Sequence, residues 1–213
     1  MLKKVMGVGV ILLAVLHSQN AVAENFSANI GYNSEYIYRG IPQASSSAFA
    51  GLDWASSGFN LGAWAADVDD GLEVDLYGGY GFDVGDFGFS VGGTWYTYTG
   101  DFDDDYLELN LGASWKYISF DAAIGQYGNF DGPTQDYQFY SLTLSHNGFY
   151  GKGGTFAGDF DGSYFEAGYG DSLTVKETYL FDYAIAAIYS DSTLLGGESD
   201  TNLVLTLSRT FPF

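Results

Sequence analysis

The chain holds two arginines, Arg39 and Arg209, among 27 acidic residues. Arg39 lies in SEYIYRGIPQ, where a guanidinium in an acidic strand could do electrostatic work. If the segment is extended, period-two alternation puts Ser27, Asn29, Gly31, Asn33, Glu35 and Arg39 on one face. Ala28, Ile30, Tyr32, Tyr36 and Tyr38 share the other. Glu35 and Arg39 are about 13 Å apart along one strand, too far to pair. The carboxylate expected for Arg39 is therefore on another strand, at Asp53, Asp67 or Glu73. The same alternation turns Glu35, Asp53, Glu73, Asp75, Glu108, Asp121 and Glu166 inward, with Arg39, Lys152 and Lys176 as the facing bases. Two chemistries fit. In a water-filled interior, these acids opposite Arg39 form a constriction with a transverse field that favours cations. In a dry one they pair into a plug with the inward-facing Phe49, Trp64, Tyr77 and Tyr96, and Arg39 braces the wall.

Other chemistry is poorly supplied. An outer-rim hydrolase needs His with Ser or Asp, and the one histidine after the leader, His146, stands beside the Asn147-Gly148 turn. No catalytic residue is assigned. Asp101, Asp103 and Asp105 have the first spacings of a calcium loop. Tyr106 and Gly112 occupy the positions that such a loop gives to Gly and Glu, so the run reads as a solvated acidic loop. No metal and no cofactor is expected. Cysteine is absent, which removes disulfides and thiolate sites. A formal net charge of −20 speaks against nucleic acid as a partner.

The elements that position these residues must be strands. Residues 1–23 read as a secretory leader: Lys3 and Lys4, an apolar run from Val5 to Leu16, then Ala21-Val22-Ala23. The domain is then 24–213. No later run of ~18 apolar residues suggests a helical span, and alternation is everywhere. Leu72, Val74, Leu76, Tyr80 and Phe82 oppose Glu73, Asp75, Tyr77 and Asp83. Leu107, Leu109, Leu111 and Trp115 oppose Glu108, Asn110 and Ser114. The predicted strands are 26–39, 46–55, 59–67, 72–83, 87–99, 106–115, 118–127, 137–146, 149–158, 163–170, 173–189 and 201–211. Glu177 breaks the phase of the eleventh, through a bulge or a position below the membrane.

Three features favour a barrel in lipid over a soluble sandwich. Aromatic residues end the apolar faces near turns: Tyr36, Tyr38, Trp54, Phe59, Tyr80, Trp95 and Trp115 form the expected girdle. Tight turns (56–58, 85–86, 116–117, 147–148) alternate with longer acidic loops (67–71, 100–105, 129–136, 190–200), as periplasmic turns and external loops do. The last strand ends on Phe211 and Phe213, resembling the signal read by the bacterial barrel-assembly machinery.

NSEYIYRGIPQ, followed by AFAGLDWASSGFNLGAWAADVDD, resembles the opening of the TorF-type porins, a proteobacterial outer-membrane family. The matching positions are Ser34, Glu35, Tyr36, Tyr38, Arg39 and Gly40, then Gly58, Phe59, Gly62, Trp64, Val68 and Asp69. The resemblance implies a small outer-membrane barrel with channel function. The expectation is an all-β, antiparallel up-and-down barrel of twelve strands that passes small solutes with a cation bias. Its partners would be outer-membrane lipids, lipopolysaccharide and the assembly machinery. The alternative is a non-conducting structural barrel.

Overall fold

The computed structural model describes residues 25–213. The predicted leader, residues 1–23, lies outside the described residues. Fourteen strands follow one another: β1 (Asn25–Asn33), β2 (Tyr36–Tyr38), β3 (Ile41–Ala44), β4 (Ser47–Ser56), β5 (Phe59–Val68), β6 (Gly71–Val84) and β7 (Phe87–Tyr98). Then come β8 (Tyr106–Trp115), β9 (Ile118–Tyr127), β10 (Gln135–His146), β11 (Phe149–Gly158), β12 (Ser163–Val175), β13 (Thr178–Ser190) and β14 (Asp200–Pro212). β1 and β4 to β14 close into a twelve-strand antiparallel barrel, and β2 pairs only with β3. β1 meets β14 in register from Ser27↔Pro212 to Asn33↔Thr206. The Phe213 amide adds a bond of 2.9 Å to the Phe26 carbonyl. Closure leaves no unpaired edge, the requirement for a sheet in an apolar solvent.

The alternation predicted along the chain is realised. Leu52, Leu109, Leu142, Ile185 and Leu203 are exposed on the outer wall, while Glu73, Asp75, Glu108, Tyr137 and Val204 are buried inside. Among the girdle residues, Phe59, Tyr80, Trp95 and Trp115 are exposed, and Trp54 lines an outer groove beside Phe59 and Tyr80. Most of this belt is at the short-turn end, where rings touch: Phe59–Tyr80 at 4.7 Å, Phe82–Phe89 at 5.6 Å and Phe87–Trp115 at 6.1 Å. Trp95 belongs to the other end, where its Nε1 donates to Asp105 at 3.0 Å.

Four expectations are corrected. The first predicted strand, 26–39, is two objects: the wall strand β1, and a β2–β3 hairpin folded inside the barrel. Tyr36 and Tyr38 belong to that hairpin and not to the lipid belt, because the chain breaks at Ser34-Glu35 and turns inward. The expected long loop at 67–71 is a tight Asp69-Asp70 turn, since Val68 pairs with Gly71. Lys176 and Glu177 form the β12–β13 turn and are exposed, so Lys176 is not a lumen base. Both have positive φ, 48° and 67°, which makes a two-residue hairpin turn without glycine. A register shift at Leu173/Thr174 precedes it.

Candidate functional site

The β2–β3 hairpin turns at Arg39-Gly40, both with positive φ (49° and 82°) and with Tyr38 paired to Ile41. This is the two-residue turn that suits the twist of a hairpin. Its tip is inside the barrel. The Gly40 carbonyl accepts from Ser190 Oγ at 2.6 Å, and a Cβ on Gly40 would come within 2.5 Å of Tyr164 Cβ. One flank of the hairpin places Ile37 among Tyr137, Phe139, Phe156, Ile188 and Val204. The other packs Tyr36 and Ala44 against Trp64, Ala66 and Val68, with Tyr36 and Trp64 edge-on at 5.9 Å. The hairpin thus fills the loop-side half of the lumen.

Arg39 is the centre of this plug. Its Nη1 donates to Glu108 Oε1 at 2.5 Å and its Nη2 to Oε2 at 3.0 Å. The guanidinium also lies over the Phe139 ring at 4.3 Å and the Tyr38 ring at 4.8 Å. A forked donor matched to a carboxylate, with two aromatic rings against its plane, suits Arg and not Lys. Glu108 takes three further donors: Tyr137 at 2.8 Å, Asn110 at 2.9 Å and Tyr96 at 3.1 Å. The partner is therefore none of Asp53, Asp67 or Glu73, because the hairpin carries Arg39 across the lumen to β8.

The remaining predicted lumen residues separate into two levels. Glu73 is buried and accepts from Tyr36 at 2.6 Å and Tyr98 at 3.2 Å. Asp75 is fully buried. Nearer the short turns, Asp53 accepts from Tyr77 at 2.5 Å and Asn29 at 3.3 Å. Asp121 accepts from Ser141 at 3.4 Å, and Glu166 from Tyr150. Lys152 stands in register with Glu166, partly exposed to the interior. By the same alternation, that half is lined by small residues such as Gly79, Ser90, Gly112, Ser119 and Ser172. The interior is a polar cup at the short-turn end beneath a plug at the loop end. Glu35 belongs to neither level: it accepts from Asn202 at 2.9 Å at the edge of the loops.

Tyr137, Phe139, Tyr98, Asn110 and Ser190 complete the site and were not singled out by sequence. Inward phase marks the four on β7, β8 and β10, but only the hairpin's position reveals what they hold.

Residues 17–144 match a family model described as "Bacterial protein of unknown function (Gcw_chp)". No curated protein matches the sequence. Among solved structures, one from a study of in-meso crystallisation of membrane proteins is 10% identical, with a TM-score of 0.57, covering 89% of this chain and 84% of that one. Pseudomonas aeruginosa OccK1 (OpdK) is 14% identical with a TM-score of 0.41, and the match covers 80% of this chain. P. aeruginosa OprD is 12% identical with a TM-score of 0.41 and coverage of 88%. The chain spans 57% of the length of OccK1 and 67% of OprD.

Proposed function

The chain belongs to the Gcw_chp family of bacterial proteins, whose description states no activity, and from that premise we propose that it is an outer-membrane channel held shut by its own β2–β3 hairpin. The observation that carries this reading is the Arg39–Glu108 clasp at the hairpin tip, set above a polar cup. An apolar outer wall, an aromatic belt and even strand number support placement in the outer membrane, short turns toward the periplasm. The acidic loops at the opposite end would face lipopolysaccharide. The opening motif around Arg39 further supports kinship with TorF-type porins.

The cup supports cation preference. Asp53, Asp121, Glu166 and Asp182 face it against Lys152, while Glu108 neutralises Arg39. Small solutes would cross by passive diffusion once the hairpin moves. A channel is also a better fit than an enzyme: His146 lies edge-on to Tyr117 at 4.6 Å, by the short turns.

A second reading, a non-conducting structural barrel, is favoured by how completely the hairpin is packed. Planar-bilayer recordings separate the two. Current from the refolded wild type or from a variant with a loosened hairpin supports the channel, and its reversal potential in a KCl gradient gives the selectivity. Silence from both supports the structural barrel.

A further inference from the structure

Asp75 has no exposed surface, and neither of its carboxylate oxygens meets a hydrogen-bond donor among the described residues. It lies on the inner face of β6, in register with Trp64 on β5 and Tyr96 on β7. Glu73 is two residues away on the same face, about 7 Å along the strand, and Glu108 is two strands across and two residues along, about 12 Å away. Both neighbours are satisfied. Glu73 has two tyrosine hydroxyls, and Glu108 has Arg39, Asn110 and two tyrosines. Three carboxylates therefore share one closed layer with a single guanidinium, already engaged by Glu108. A buried carboxylate without donor or counter-charge is among the costliest arrangements an interior can hold.

We propose that Asp75 anchors a singly charged alkali-metal cation beneath the hairpin. The oxygen groups of this layer are the carboxylates of Asp75 and Glu73 and the hydroxyls of Tyr36 and Tyr98 that donate to Glu73, hard ligands of the kind that such an ion takes. Among the described residues no group of three or more His, Cys, Asp or Glu converges to hold a metal. Glu73 is served by two hydroxyl donors, so the charge left without any partner is the single one of Asp75, which a monovalent ion balances. The site stands on interior geometry and is independent of whether the barrel conducts.

The test is thermal unfolding of the full barrel in detergent. Choline chloride holds ionic strength constant while NaCl or KCl replaces it. The wild type should gain about 5–10 °C in apparent Tm once the ion exceeds its dissociation constant about a hundredfold, and the gain should keep rising with the logarithm of ion concentration. Asp75→Asn should lose that response while remaining folded in choline. A wild type indifferent to the cation, or an Asp75→Asn variant that responds equally, overturns the proposal. So does a Tm that rises on acidification with no cation dependence, which would assign a proton to Asp75. If Asp75→Asn does not fold, 23Na linewidths on the wild type decide. Broadening reversed by excess K+ supports the site, and unbroadened sodium overturns it.

Discussion

Arg39 and Glu108, separated by 69 residues of chain, meet inside the barrel through two hydrogen bonds of 2.5 and 3.0 Å. One partner comes from the hairpin tip and the other from the wall, so this pair fastens plug to barrel. Removing Arg39 leaves a buried carboxylate without its counter-charge. Arg39→Ala should lower unfolding free energy in lipid vesicles by about 3–5 kcal/mol. Replacing both by apolar residues, Arg39→Met with Glu108→Leu, should recover much of that loss. If the double variant is as weak as the single one, the clasp is not what holds the hairpin.

Tyr36 donates to Glu73 from within the plug, whereas Tyr32 is 45% exposed on the outer wall. Tyr36→Phe removes one of two donors to a buried acid and should cost about 1–3 kcal/mol. Tyr32→Phe should stay within about 0.5 kcal/mol of wild type. Urea unfolding in vesicles measures both, and equal effects would return Tyr36 to the lipid face.

Gly40 has φ +82° and no room for a Cβ against Tyr164. Gly40→Ala should cost at least about 1 kcal/mol and loosen the hairpin. Limited proteolysis within residues 36–44 should accelerate in this variant. Unchanged proteolysis would mean that the tip has more space than its packing indicates.

Leu109 faces outward near the middle of β8. Leu109→Arg should destabilise the protein in vesicles by about 2–4 kcal/mol, as a charge at the bilayer midplane does. Asp86→Arg, in the β6–β7 turn, should change stability by about 0.5 kcal/mol or less. A neutral Leu109→Arg would contradict a lipid-facing wall.

The barrel was legible in the sequence because one face of every wall strand forms the exposed apolar outer wall and the other faces the interior, so period two survives across the chain. Glu73, Asp75 and Glu108 could therefore be placed inward before their partners were known. The hairpin was not legible. Tyr36 and Tyr38 continue the alternation of β1, which hides the break at Ser34-Glu35. The available signal was Arg39-Gly40 itself, an X-Gly pair like Ser57-Gly58 and Asn147-Gly148, both of which turn with the same positive φ pattern. The Lys176-Glu177 turn left no such mark, since neither residue is glycine. The Arg39–Glu108 partnership depends on how a closed barrel brings β8 opposite the hairpin, which local spacing does not encode.

Single-channel recording of wild type and Arg39→Ala in planar bilayers under a KCl gradient tests the central claim most directly. The plugged-channel account predicts a wild type that is mostly closed and an Arg39→Ala variant that opens far more often. Its reversal potential should indicate cation preference, as the acids of the cup require. Silence from both proteins, after folding is confirmed, would contradict the account and leave a barrel whose hairpin is a permanent core.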